Sequence, residues 1–421
     1  MSENKIKDLK SYTELLPSFY GLNTRPINLI FMINVSLMTG GGMERTLLNF
    51  IKYIPKELKN IYKITIIQTS LGDRARLDSN EIHKILNENN VQLITIDAYN
   101  KNIINLRIDS LSTIYNTLTE GIRNRRLKKY INQITKNADI IYLFHNSFSH
   151  FIKKGPIVIG SFHERNPNPN AYFGFTKIAT EFTIKLIKLR LMWRRINFYH
   201  YQAYNLKSYV PDNSFYIPNG IDLNRFTSNE NEIENKKRDK AIKILFVGRL
   251  VKSKGLEILI DAFQIIRQNE GYELHIVGSG EMESYIQDLK VNKIIYHGIL
   301  NDADLISIYK KCDIFVFPSD GDIFGLVILE ALASGMYVIA NETLRGVFDE
   351  FEKIGVLEYS EHTVDDILNR IMKFDKNKQV KNVYKKVLSA IKKYDWNEVD
   401  KELYKTFLLL RNMYTPHTET I

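Results

Sequence analysis

The sequence predicts two doubly wound α/β domains in succession, and three observations carry that reading. At 421 residues, the chain exceeds what one hydrophobic core organises, so two domains of roughly 200 residues each are expected. Each half carries apolar runs of strand length with helical patterns in most of the gaps, the signature of parallel sheets. The first strand of each half leads into a glycine-bearing loop and then a helix, at Gly40-Gly41-Gly42 and at Gly248 to Gly255.

In the first half, residues 27 to 35 form a largely apolar run suited to a strand buried on both faces, and residues 44 to 53 follow as a helix. Further strand signals fall at 62 to 68, 91 to 96, 139 to 144 and 156 to 161. The second half repeats the plan with strands at 244 to 247, 274 to 277, 294 to 296, 314 to 317 and 337 to 340. The polar stretch 228 to 240 reads as an exposed loop, and the hinge is placed between 209 and 218. The expected organisation is an N-terminal domain over 1–212, a C-terminal domain over 213–395, and a last helix within 396–421 packing back on the N-terminal domain. Ligands of such sheets bind beyond the carboxyl ends of the strands, so a cleft where the two domains face each other is the place to look.

Composition is that of a folded chain, with 44% hydrophobic and 25% charged residues. The net charge of +10 is unevenly placed: residues 1–210 hold 30 Lys+Arg and 15 Asp+Glu, leaving 28 and 33 for 211–421. An excess confined to one half favours a basic face meeting an anionic partner, a membrane surface or lipid phosphate as readily as nucleic acid. No nucleic-acid recognition motif accompanies it, and no nucleic-acid partner is expected. Cys312 is the only cysteine, which excludes an intramolecular disulfide and fits a reducing, cytoplasmic setting. The first sixteen residues mix acids with lysines and lack an apolar core of signal length, so no secretory or transit peptide is expected. The longest uncharged stretch, 26 to 43, is interrupted by Asn34, Ser36 and the glycines, and suits a strand and loop better than a membrane span.

Three motifs carry chemistry. After the strand ending at Val247 come Gly248-Arg249-Leu250 and Lys254-Gly255. An Arg fork and a Lys point charge at the carboxyl end of a strand can offset two phosphates without a metal ion; the competing reading is two solvated surface cations. Gly278-Ser279-Gly280-Glu281 is weaker, since a Gly-x-Gly after a strand is often only a tight turn and Glu283 stands where a dinucleotide fingerprint needs glycine. The third runs from Phe317 through Asp322, Phe324, Gly325, Leu326, Val327 and Glu330 to Gly335. It joins a buried strand to a helix starting near Gly325, whose free amides form an anion site. Asp322 and Glu330 can reach different ends of one ligand. Against this stand a turn or cap role for Asp322 and a loop-holding carboxylate at Glu330.

From about 218 to 346 the chain resembles the retaining glycosyltransferases related to glycogen synthase and the phosphatidylinositol mannosyltransferases, the glycosyl transferases of group 1. The resemblance rests on ordered motifs: Pro218-Asn219-Gly220-Ile221-Asp222 with Phe226, then Val247-Gly248-Arg249-Leu250 with Lys254-Gly255, then Cys312 to Ser319, and the acidic pair. Gly41-Gly42-Met43-Glu44-Arg45 is similar to the family's N-terminal glycine loop. The resemblance implies a GT-B fold and transfer of a sugar from a nucleotide diphosphate donor, UDP by default, to an acceptor hydroxyl. It assigns Arg249 and Lys254 to the diphosphate, Asp322 to the donor sugar, Glu330 to the ribose, and Gly41 and Gly42 to donor phosphates or acceptor. Gly248, Gly278, Gly280, Phe324, Gly325, Leu326 and Val327 complete the implied donor-binding set. The family has Glu where Asp322 stands, one methylene longer, which bears on the identity of the sugar. His163, in Ser161-Phe162-His163-Glu164, resembles the family's histidine near the donor sugar, whereas His145 is expected to be structural and His150 to lie at the surface.

No side chain stands out as an enzyme nucleophile, so the front-face route suggested for the family is favoured. Arg249, Lys254 and the helix near Gly325 stabilise the leaving diphosphate while a phosphate oxygen takes the acceptor proton. No cofactor and no metal are expected; Asp320-Gly321-Asp322 imitates a metal-binding motif, but Asp322 occupies the sugar-contacting position. Across 175 to 196 an apolar stripe of Phe175, Ile178, Phe182, Leu186, Leu189, Trp193 and Ile196 is accompanied by six lysines and arginines. That pattern suits a helix on an anionic membrane surface and a lipid-linked saccharide acceptor at the cytoplasmic face; the alternative is a helix packed on the sheet. The competing functional class is a non-catalytic subunit that binds a nucleotide sugar.

Overall fold

The computed structural model describes residues 25–39, 42–69, 78–96, 125–162, 178, 181–182, 185, 195–229, 231–234, 241–266, 271–289, 292–375 and 381–414. Gly41, His163 and most of 175–196 lie outside them. The chain divides into two units, residues 1–218 with 396–421, and residues 219–395.

The first unit contains β1 (Ile27–Met32), α1 (Gly42–Lys52), β2 (Tyr62–Thr69), α2 (Ser79–Glu88), β3 (Gln92–Ile96), α3 (Arg125–Ile134), β4 (Ile140–Leu143), β5 (Ile157–Ser161), β6 (Phe198–Tyr201) and β7 (Ser214–Tyr216). Its sheet is parallel throughout, in the order β3-β2-β1-β4-β5-β6-β7. The second unit contains α4 (Leu223–Phe226), β8 (Ile242–Val247), α5 (Leu256–Ile266), β9 (Tyr272–Val277), α6 (Glu283–Asp288), β10 (Ile294–Gly298), α7 (Asp302–Lys311), β11 (Ile314–Phe317), α8 (Leu326–Ala333), β12 (Tyr337–Asn341), α9 (Asp349–Ile354), β13 (Leu357–Ser360), α10 (Val364–Lys373) and α11 (Lys381–Ile391). Its sheet is also parallel, in the order β10-β9-β8-β11-β12-β13. A final helix, α12 (Trp396–Tyr414), belongs to the first unit.

The central strands are apolar without alternation because helices cover both faces. Phe31, Tyr142 and Phe144 are fully buried and meet Phe50 of α1 together with Trp396, Tyr404 and Phe407 of α12. Hydroxyl bonds fix α12 there: Tyr62 donates to the Tyr404 carbonyl at 2.5 Å and Tyr404 to the Phe50 carbonyl at 2.8 Å.

One device recurs in both sheets. Asp139, just before β4, accepts from the Asn28 amide at 2.8 Å, and its own amide donates to the Asn28 carbonyl at 2.9 Å. Asp313, just before β11, does the same to Lys243, at 2.8 Å in both directions. Each carboxylate thus sets the register between the first strand of its unit and the fourth.

The structure adds strands that the apolar pattern does not announce. β6, β7 and β13 are edge or near-edge strands of three or four residues, too short for a periodicity to register. The stretch 228–240 is corrected at its start. Ser228 is buried, its hydroxyl bonded to the Ser334 carbonyl at 3.0 Å, and Ile233 is buried as well. His150 is half-buried rather than on the surface, with burial and Lys128 holding its pKa below the usual value.

Candidate active site

In the second sheet the strand order reverses between β8 and β11: β9 and β10 lie to one side and β12 and β13 to the other. At such a switch point the two outgoing loops diverge and leave a crevice at the carboxyl ends. The loop after β8 carries Arg249 and Lys254, and the loop after β11 carries Asp322. They meet across the switch point. Lys254 Nζ lies 2.5 Å from Asp322 Oδ2, with 14% and 25% of the two side chains exposed, and stands 5.8 Å over the Phe317 ring. The backbones meet as well, for the Ser319 hydroxyl donates to the Ser253 carbonyl at 3.3 Å and the Asp320 amide to the same carbonyl at 3.4 Å. Gly255, at φ +70°, makes this approach possible; a Cβ there would stand 2.5 Å from the Pro318 carbonyl oxygen.

The cation and the carboxylate that the sequence assigns to separate tasks therefore neutralise each other. Arg249 is exposed and has no carboxylate partner among the described residues. Its charge is uncompensated among the described residues.

Glu330 sits in the second turn of α8 and accepts from the Tyr309 hydroxyl at 2.8 Å. Burial first, then the neighbouring Glu330 charge, hold the Tyr309 pKa well above its usual value, so the phenol remains a donor. Tyr309 packs edge-on against Phe226 with centroids 5.6 Å apart. The motif ending in Phe226 thereby positions a phenol that positions a carboxylate. The other end of α8 is fixed by Ser334, whose hydroxyl donates to the Phe226 carbonyl at 3.1 Å. The N-cap is Gly325 at φ +71°, followed by the half-buried Leu326 and Val327, whose amides lack partners inside the helix and are available to an anion.

Other expected site residues have different work. A Cβ on Gly278, at φ +136°, would fall 1.8 Å from the Gly248 carbonyl oxygen, and one on Gly280 would fall 2.5 Å from that of Leu250. Both glycines let the loop after β9 pack on the loop after β8, and the Gly280 amide is already bonded to Glu283 at 2.8 Å. Gly248 is under no such constraint, since a Cβ there would make ordinary contact with Phe246 at 3.5 Å. Phe324 is corrected: its ring is buried between Phe348 and Tyr394, so only its backbone can serve a ligand.

In the first unit the switch lies between β1 and β4. His145, after β4, is buried and its Nδ1 accepts from the Asn34 amide after β1 at 3.3 Å. Burial depresses its pKa to about 3, so the ring is neutral and structural. Gly42 opens α1, where a Cβ would meet nothing within 4 Å.

Sequence reasoning passed over Tyr309 and Asn341. Asn341 ends β12 and its amide donates to the Pro318 carbonyl at 3.3 Å, with His362 Nδ1 at 3.1 Å. The available signals were a polar residue closing an apolar strand and an aromatic residue one turn before Cys312-Asp313.

Residues 227–391 match the family model described as glycosyl transferases group 1. This part of the chain is a glycosyl transferases group 1 domain. It is 36% identical over 129 residues to an uncharacterized glycosyltransferase of Methanocaldococcus jannaschii, covering 30% of each chain. It is 28% identical over 162 residues to the alpha-monoglucosyldiacylglycerol synthase of Streptococcus pneumoniae, covering 35% of this chain and 36% of that one. The matched segment spans about a third of the length of these curated relatives. Over the longer reach of structure, a crystal structure of Anabaena HepE in complex with UDP and glucose superposes with a TM-score of 0.63 at 16% identity, covering 91% of this chain and 100% of that one. The two parallel-sheet domains have the GT-B fold. Among the described residues no helix is long and apolar enough to cross a membrane.

Proposed function

We propose that the chain is a retaining glycosyltransferase that moves a sugar from a nucleoside diphosphate donor, uridine being the favoured base, to a hydroxyl of a lipid-linked glycan acceptor. The observation that carries the reading is the composition of the rim at the β8–β11 switch point: one unpaired guanidinium, one lysine–aspartate pair and the open end of α8. A diphosphate entering there meets Arg249 and the Leu326 and Val327 amides. It also competes with Asp322 for Lys254. When Lys254 turns to phosphate, Asp322 is released to accept hydrogen bonds from the donor sugar, while Glu330, oriented by Tyr309, accepts from the ribose.

The bond from the anomeric carbon to the phosphate oxygen breaks as the bond to the acceptor oxygen forms on the same face. The acceptor proton passes to a phosphate oxygen, and the cationic rim carries the charge left on the diphosphate without a metal ion. His163 and the Gly41-Gly42 loop are assigned to the sugar and the acceptor by resemblance. The UDP of the HepE structure supports the choice of base, and the monoglucosyldiacylglycerol in the name of the Streptococcus relative supports a lipid acceptor. A peripheral position on the cytoplasmic face of the membrane is supported by the apolar stripe with accompanying lysines and arginines over 175–196, of which Ile178 and Phe182 are exposed at 63% and 48%.

Arg249→Ala tests the reading. It is expected to weaken UDP binding by about ten- to a hundred-fold, the worth of one charge-assisted contact, and to lower sugar transfer at least as much. Unchanged UDP affinity in calorimetry defeats the assignment of the rim.

A further inference from the structure

At the amino ends of β4, β5 and β6, on the edge of the first sheet opposite its switch point, lies a cavity of about 510 Å³. Its lining includes Lys153, Lys154, Arg195 and Arg411. Lys153, Lys154 and Arg195 are exposed, and none has a carboxylate partner among the described residues. Asp139, the acid in the lining, is already held by the forked guanidinium of Arg25 at 2.7 and 2.9 Å and by the Asn28 amide. The recess therefore carries several uncompensated positive charges converging on one hollow. Asn197 adds a neutral donor. Its Oδ1 is taken by the Val158 amide at 2.8 Å, which fixes the side chain and leaves the Nδ2 hydrogens for a ligand.

We infer that this recess is a second anion site, taking a phosphate-bearing group and separate from the donor rim. Two lysine point charges, an arginine fork and an amide donor suit the several oxygens and double charge of a phosphate better than a single carboxylate. The hollow is large enough for the phosphate to arrive attached to something, either a phospholipid headgroup or a free phosphorylated metabolite. Its place at the amino ends keeps it clear of the carboxyl-end loops; four residues of β4 at about 3.3 Å each put roughly 13 Å of strand between the two ends. The assignment does not depend on the sugar-transfer reading, because none of these residues belongs to the second unit.

The test uses the full chain carrying Arg249→Ala and Lys254→Ala, so that anion binding at the donor rim is already impaired. Inorganic pyrophosphate is titrated in a thermal-shift assay, and phosphatidylcholine vesicles with and without phosphatidylglycerol are used in co-sedimentation. Adding Lys154→Glu and Arg195→Glu is expected to weaken binding of the recognised probe by about ten-fold or more, and Lys154→Gln with Arg195→Gln by less, in the same direction. Recess-dependent binding of pyrophosphate alone identifies a soluble ligand; recess-dependent binding of the phosphatidylglycerol vesicles identifies a headgroup. If neither probe binds the rim-disabled chain, or if charge reversal and neutralisation in the recess leave binding of both unchanged, the inference is overturned.

Discussion

The two switch points of this chain are built on one frame and filled with opposite chemistry. In both sheets a carboxylate at the start of the fourth strand is bonded to the backbone of the first, Asp139 to Asn28 and Asp313 to Lys243. Beyond the carboxyl ends the units part. At the first, His145 is buried and neutral, its Nδ1 accepting from the Asn34 backbone amide. The second leaves a lysine–aspartate pair partly open to solvent beside an unpaired arginine. A shared topology supplies a location; whether that location does chemistry depends on whether charge is left there that a ligand can engage.

The largest effect is expected from breaking the shared frame. Asp313 is 2% exposed, so Asp313→Ala strands the Lys243 amide and should cost about 2–3 kcal/mol. Asp139→Ala should cost less, since its extra partner Arg25 is 61% exposed at the side chain and an exposed pair adds little. Hydrogen exchange at the Lys243 and Asn28 amides reads both. Equal losses would mean that burial does not distinguish the two staples.

Acid should separate the units next. His145 and His200 are held neutral by burial at pKa values of about 3 and about 4. Below the unfolded value of about 6.5 the unfolded chain takes up their protons while the folded chain does not, so stability falls as pH drops, by about 2 kcal/mol for each by pH 5. Asp400 of α12 acts against them. Fully buried, with neither oxygen hydrogen-bonded among the described residues, it is pushed well above its usual pKa by that burial, so its contribution to stability rises on acidification. In the second unit His275 and His297 are also held below the usual value, by burial first and at His275 by the neighbouring His297 as well, with Glu273 opposing the shift at His275 alone. The first unit, with two deeply buried histidines, should therefore lose more stability than the second between pH 6.5 and 5, and Asp400→Asn should steepen the loss. Parallel loss of exchange protection in both units would remove this distinction.

Much of this contrast was legible in the sequence and part was not, for identifiable reasons. Central strands such as β1 and β8 announce themselves because burial on both faces demands apolar residues without alternation, broken only by Asn28 and Lys243 near their starts; β7 and β13 are too short to do so. Arg249, Lys254, Asp322 and Glu330 can be picked out by motif order, but their pairing cannot, because Lys254 and Asp322 are 68 residues apart and meet only through strand order. Gly278 and Gly280 look like ligand glycines in one dimension, whereas three dimensions show the Gly248 and Leu250 carbonyls occupying the space a side chain would need. Phe324 fails for the related reason that a residue inside a binding motif can still spend its ring on the core.

The Lys254–Asp322 pair gives the sharpest test of the contrast, though the smallest in energy. If the diphosphate must draw Lys254 away from Asp322, then binding carries the cost of separating a pair with 14% and 25% of its side chains exposed. Asp322→Ala removes that cost and a negative charge together. Nucleoside diphosphate alone should then bind more tightly, by about ten-fold, equivalent to about 1.4 kcal/mol. Transfer should fall in the same variant, because the carboxylate that receives the sugar hydroxyls is gone. Asp322→Asn should lie between, keeping an acceptor oxygen while losing the charge. Calorimetry with UDP and with a UDP-sugar separates the two roles: a carboxylate that serves only to hold the loop would weaken both on removal, whereas one exchanged between lysine and sugar strengthens the first while weakening the second relative to it.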